Sequence, residues 1–293
     1  ITADHIIIGS SFNVTTSGNI TLNGALASMQ VDGVLDAGAH TVSVVQGTVS
    51  GTGQIIVNQI SLAAGAAMTF AGQIDAHTFI NNGSAIALAA ATSVESSLQL
   101  NGGSMAIGSG SGELSLESGT QIVMNGGTVS LSGGVFNAAQ AYTVSYQGGS
   151  ATIGLEASGS GLSGIEVDLS SSGAQLALGG DLVLNGNLDI DQGTLVVGNN
   201  SLTVNGMING DVNGSISTSS GSELHISSSG SGMLGLTFSS SPQVVGTLTF
   251  DGSSGATLQL MGDVEVSSSF DHSGGTIDLN GHQLSGTGSG VAD

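Results

Sequence analysis

DLVLNGNLDIDQGTLVVGNNSLTVNGMINGDVNGSI, residues Asp181 to Ile216, reads as one phrase written twice. Leu182 and Leu184 return as Leu202 and Val204, and Leu188 returns as Ile208, each after 20 residues. Within each phrase apolar residues alternate with polar ones, the period of a strand with one buried face. Asn185-Gly186 and Asn205-Gly206 follow, a dipeptide suited to the positive φ angles of a sharp corner. An offset of about 20 residues between like strands lies in the range of a solenoid coil. Stacking like on like in parallel turns Leu182, Leu184, Leu188, Ile190, Leu202, Val204 and Ile208 inward as the core.

The phrase recurs on both sides of this stretch. It stands at Ile20-Thr21-Leu22-Asn23-Gly24, Leu98-Gln99-Leu100-Asn101-Gly102, Ile122-Val123-Met124-Asn125-Gly126 and Ile277-Asp278-Leu279-Asn280-Gly281, with a looser copy at Leu258-Gln259-Leu260-Met261-Gly262. Ile20 and Leu22 are echoed 22 residues later by Val42 and Val44, and Leu258 and Leu260 are echoed 19 later by Ile277 and Leu279. An antiparallel sandwich also alternates and also uses Asn-Gly hairpins. Hairpin partners, however, meet across a two-residue turn, whereas here similar strands recur a whole coil apart. The expectation is therefore an all-β chain, a single elongated parallel β-solenoid over residues 1–293 with no internal boundary and about 13–14 coils. Ala85–Leu100 and, less clearly, Ser61–Phe70 are the only helix-like stretches; both read equally as coils with Ala at inward positions. Ser/Gly runs at Gly108–Gly112, Ala157–Gly164, Ser217–Ser222 and Ser227–Gly232 read as corners or loops, because strand-like phrases resume after each.

Composition excludes much chemistry. The 293 residues contain no Lys or Arg, against 21 Asp plus Glu, for a net charge of −21. A chain of ordinary composition and this length carries roughly 30 basic residues. With none, there is no cationic clamp for phosphate, nucleic acid or anionic lipid, no side-chain amine for a Schiff base, and no tryptic site. Hydrophobic residues make up 39% of the chain, enough for a core, and no apolar run approaches the ~20 residues of a membrane span. Zero Cys removes disulfides and thiolate sites. The chain opens on Ile1 with no basic leader, which reads as a processed product or a segment of something longer.

Three pairs of carboxylates have hydrolase-like spacing: Asp32 with Asp36, Asp189 with Asp191, and Asp263 with Glu265. Leu188 and Ile190 claim the inward face between Asp189 and Asp191, so those acids read as a solvated outer face. The six His (His5, His40, His77, His225, His272, His282) show no metal-ligand spacing, and Asp271-His272 is an isolated adjacent pair. No nucleophile, Walker or zincin motif is present. No catalytic residue is expected. Asp189, Asp191 and Asp211 are weak calcium candidates; calcium reads better as a diffuse or bridging counter-ion, with no other cofactor. Thr247-Leu248-Thr249 is a single T-x-T step that does not recur at coil spacing, as an ice-binding ladder would require. Asn-x-Ser/Thr sequons occur at Asn13, Asn19, Asn82, Asn199 and Asn213.

Gly180-Asp181-Leu182-Val183-Leu184-Asn185-Gly186-Asn187-Leu188 and Gly275-Thr276-Ile277-Asp278-Leu279-Asn280-Gly281-His282-Gln283-Leu284 resemble the repeats of large secreted bacterial surface proteins, including adhesins and autotransporter-passenger-like β-helices. The resemblance implies a right-handed β-helix, export, and an extracellular or cell-surface role; it transfers no catalytic residue. Strand-like sequence starts at Ile6-Ile7-Ile8 and repeat sequence still runs at Leu279 and Leu284. Neither end carries a capping helix or the Lys residues that block edge pairing. These five residues mark candidate assembly ends, whose expected partner is a second copy stacked head to tail or adjoining repeats of one long chain. The alternatives are glycan adhesion through lateral loops and, less favoured, a solenoid polysaccharide hydrolase.

Overall fold

The computed structural model describes residues 4–108, 110–228 and 230–286; the Ser/Gly tail after Gly286 and Ile1 lie outside them. The chain is all-β, with parallel stacked sheets forming a β-solenoid of about 13 turns. It divides into two compact units, one comprising residues 1–144 and 154–161, the other 145–153 and 162–293.

In the first unit each coil contributes three strand segments, and each pairs in parallel with its counterpart one coil on. One such series runs Val14, Leu35, Ile55, Ile74, Thr92, Leu114. A second runs Ile20, Val42, Ile60, Phe79, Leu98, Ile122. The coil offset drifts from 18 residues at Ile74–Thr92 to 24 at Leu98–Ile122, because corners vary while strand register holds. Members of the second series are all buried, so branched and aromatic side chains stack into a continuous apolar column. That column supplies the stability, since burial of a Val, Leu, Ile or Phe contributes about 1.5–3 kcal/mol and no Lys or Arg salt bridge exists.

The second unit uses the same logic. Leu182 pairs with Leu202 and Leu184 with Val204. Leu202 and Val204 pair in turn with Leu224 and Ile226, and those with Leu248 and Phe250. Leu188 pairs with Ile208. All of Leu182, Leu184, Leu188, Ile190, Leu202, Val204 and Ile208 are buried.

Two local expectations need correction. The Ala-rich stretch is two strands, Ala85–Leu88 and Ala91–Leu100, and its alanines do not fill the interior. Ile86, Leu88, Thr92, Val94, Leu98 and Leu100 are buried, whereas Ala85, Ala87, Ala89 and Ala91 are exposed. Alternation there outweighs the helix propensity of Ala. Of the alanines in Ser61–Phe70 only Ala66 turns inward, alongside Leu62, Met68 and Phe70.

The Asn-Gly corners also divide into two kinds. Gly126 and Gly281 adopt positive φ, 91° and 83°. Gly186 and Gly206 do not; there a Cβ would collide with the carbonyl oxygens of Ser163 and Gly186 on the preceding coil. At those corners glycine is required by close approach of backbones, a distinct reason from the turn angle.

Candidate functional site

An uncovered terminal coil leaves both strand edges and core side chains open. Among the described residues, His5–Ile8 pairs with residues 28–31 alone and Asn13–Thr15 with 34–36 alone. Val14 occupies the inward position above Leu35, yet Val14 is 39% exposed while Leu35 is fully buried. Ile6 sits inward above the buried Met29 and is half-buried. Ile7 points outward at 72% exposure, and Ile8 is buried. Phe12 lies beside them, also exposed. Phe12 and Val14 escape the sequence reading because they precede the first full repeat phrase.

The last described coil shows the same signature. Thr276–Asp278 pairs with residues 257–259 alone, and Leu284–Gly286 with 264–266 alone. Ile277 and Leu284 are half-buried, although their partners Leu258 and Val264 are fully buried. Phe270, in register with buried Leu248, is half-buried as well. Leu279 is 42% exposed.

Lateral faces carry the charge, and many of their carboxylates accept hydrogen bonds from neutral donors. Gln54 and Gln73 both donate from Nε2 to Asp75, at 2.7 and 3.0 Å. Asn137 and Ser115 donate to Glu113 at 2.9 and 2.8 Å and hold its carboxyl below the usual glutamate range. In the second unit Gln259 and the backbone N–H of Asn280 do the same for Asp278. A further device recurs at corners: an Asx oxygen accepts the backbone N–H of a residue one coil later. Asn19 accepts from Thr41, Asp32 from Thr52, Asp181 from Ser201, Asn187 from Met207 and Asp263 from Gln283, at 2.8–3.2 Å. Each brace ties adjacent coils together without a cation.

Four of the six acids in the hydrolase-like pairs accept hydrogen bonds from neutral donors. Asp32 accepts from Gln30 and Thr52, Asp36 from the N–H of Gly38, and Asp263 from Gln283 with His282 Nδ1 at 3.4 Å. Asp189 is half-buried on the outward face and accepts from Asn209 at 2.6 Å. Asp191 and Asp211 sit where the ladder gains residues, since Ile190 pairs with Gly210 but Gln192 with Asn213. Partial desolvation, then the carboxylates of Glu166, Asp168, Asp189 and Asp211, hold Asp191 above the ordinary aspartate range. Among the described residues no three His, Asp or Glu side chains converge as a metal cage, so Asp189, Asp191 and Asp211 do not form one. The His272 ring stacks on Phe250 with centroids 5.8 Å apart and its Nε2 lies 3.3 Å from the Gly275 carbonyl oxygen. Glu223 and His225 interrupt any Thr ladder by pairing with Thr247 and Thr249.

One buried polar node stands apart from the faces. Tyr142 is fully buried, and its hydroxyl accepts the N–H of Gly159 at 3.0 Å. Burial pushes its phenol up to about 12, with the Gly159 bond opposing and the Glu156 charge adding. Glu156 is carried inward on a short 3-10 turn, Leu155–Ala157, and accepts from the N–H of Gly154.

No family model matches this chain, and no curated protein or solved structure is significantly similar to it.

Proposed function

We propose that this chain is a non-enzymatic extracellular structural protein, a block of a fibre, surface layer or biofilm matrix, that assembles by stacking the terminal coil of one copy on that of another. The supporting observation is the exposure of core-position side chains in the terminal coils: Ile6 and Val14 at one, Phe270, Ile277 and Leu284 at the other. Their equivalents one coil inward are buried, so a further coil of the same kind, from a second copy or from adjoining repeats of a longer chain, would complete the column and pair the strand edges left open among the described residues. Many lateral carboxylates already accept hydrogen bonds from neighbouring amides and hydroxyls, and glycan adhesion ranks second.

A net charge of −21 opposes the approach of two copies. Stacking then depends on protons, salt or a divalent counter-ion such as calcium to screen that repulsion. The test compares wild type with Val14→Asp and Leu284→Asp by sedimentation and negative-stain imaging across salt, calcium and pH. Wild type is expected to form filaments once screened, and each variant to stay monomeric with an unchanged circular dichroism spectrum. Wild type that stays monomeric from about pH 4 to 8 in high salt, or filaments unaffected by both variants, would overturn the proposal.

A further inference from the structure

The chain contains nine Asn-Gly steps, and the fold treats them unequally. Succinimide chemistry requires the nitrogen of the glycine to reach Cγ of the preceding Asn. A bonded side-chain amide or a pinned glycine backbone prevents that approach. Asn101 Nδ2 donates to Asn82 Oδ1 at 2.9 Å, and Asn205 Nδ2 to Asn185 Oδ1 at 3.0 Å. These are in-register asparagine ladders. Asn209 is held by Asp189. Asn213 lies inside a strand, paired with Gln192, and Gly214 is pressed against the carbonyl of Ile190; Asn23 lies within the strand Ile20–Val31, paired with Gln46 between two breaks in register. The Asn280 turn is closed by bonds from Asn280 N–H to Asp278 and from His282 N–H to Leu279, with its amide 3.5 Å from Met261 Sδ.

Asn125-Gly126 lacks the side-chain and glycine restraints, although its backbone is held by bonds from the N–H groups of Asn125 and Gly127 to the Leu100 carbonyl at 2.9 and 3.2 Å. It lies between the strands Thr120–Met124 and Thr128–Ser132, one coil on from Asn101, since Met124 pairs with Leu100. Asn125 is exposed, and among the described residues its side-chain amide has no hydrogen-bond partner. Gly126 is at φ 91° with no atom within 4 Å of where a Cβ would stand.

We propose that Asn125 is a self-modification site. The Gly126 nitrogen attacks Asn125 Cγ, the N–Cγ bond forms, the Cγ–Nδ2 bond breaks and ammonia leaves. Water then opens the succinimide at either carbonyl, giving aspartate or isoaspartate and one added negative charge at this corner. Water is the only co-reactant, and no oxidant, metal or enzyme enters the balance.

The test uses the folded chain aged at about pH 8, a mildly alkaline condition in which a backbone amide nitrogen is more readily deprotonated. Trypsin cannot map it, but a glutamate-specific protease separates residues 96–113, carrying Asn101, from 118–156, carrying Asn125 as its sole Asn-Gly step. Peptide 118–156 is expected to gain about 1 Da at least about tenfold faster than 96–113, the ratio set by how rarely the laddered corner opens. In urea the two rates should converge, and Asn125→Gln should abolish the gain in 118–156. Equal rates in the folded chain would overturn the assignment. So would a ratio that survives urea, or a gain that persists in Asn125→Gln.

Discussion

Replacing Val204 by Asp tests the inward stack at its centre. Val204 is fully buried between Leu184 and Ile226, its in-register partners on the adjoining coils. An aspartate there finds no Lys or Arg anywhere in the chain. Protonation is cheaper than burying the ion. Moving from an ordinary value of about 3.9, neutralising it at pH 7 costs about 4 kcal/mol. Lost valine burial adds about 1.5–3 kcal/mol. The sum, about 5–7 kcal/mol, rivals the whole stability of a typical domain. The sign with pH is definite. A carboxyl whose folded pKa is raised destabilises at high pH, and its penalty shrinks by about 1.4 kcal/mol for each unit of acidification between pH 7 and 4. Urea unfolding followed by circular dichroism, with wild type measured alongside at about pH 7 and 5, reads both quantities. The outward neighbour Val183, 57% exposed, provides the control, since Val183→Asp is expected to shift stability by only about 0.5 kcal/mol. Val204→Asp with wild-type stability at neutral pH, or with a deficit identical at both pH values, would refute the stacking argument.

Further outcomes follow from the corners and the tyrosine node. Tyr142 is raised to about 12, so its stabilising contribution is complete below the unfolded value of about 10 and is lost as pH climbs toward 12, about 2.7 kcal/mol in all. Alkaline unfolding of Tyr142→Phe should lack that step; superimposable wild-type and variant curves would exclude it. Gly186→Ala drives a methyl into the Ser163 carbonyl and should cost more than about 2 kcal/mol. Gly126→Ala, in open space but at positive φ, should cost about 1 kcal/mol. Thermal melts that reverse this order would show that the two corner types are wrongly distinguished.

The coil was legible because its signal is duplicated: the echo of Leu182, Leu184 and Leu188 by Leu202, Val204 and Ile208 states both period and register. The pairings at Ile20–Val42 and Leu258–Ile277 fall where the echoes put them. What failed was reading one position in isolation. Ala85, Ala87 and Ala91 suggest a helix by propensity, yet alternation with Ile86, Leu88 and Thr92 decides their state and turns them outward. Asn-Gly suggests a turn angle, yet at Gly186 the demand comes from Ser163, one coil back in sequence. Phe12 and Val14 were illegible as end-face residues because nothing in their own neighbourhood repeats. The division into two units left no mark in composition, since strand phrases continue through residues 142–168.

The same duplication explains how a chain without cations tolerates stacked carboxylates. Parallel register would set like on like, and Glu166 does pair with Asp189. The next coil, however, places Asn209 against Asp189 and its amide donates to that carboxylate. Gln54, Gln73, Gln259 and Asn137 play the same part at Asp75, Asp278 and Glu113. Hydrogen bonds to an ionised acceptor are stronger than neutral ones, so an amide satisfies the oxygen while leaving the charge uncancelled. The two classes of acid therefore respond to pH in opposite senses. Glu113 and Asp278, held low, contribute stability that is lost as pH falls through their folded values; Asp191, held high, is relieved by the same acidification. Local satisfaction by amides lets one coil stack on the next within a chain, where covalent connection holds the charges together. Between two chains no such connection exists, and the undiminished −21 must be screened from solution before terminal coils can meet.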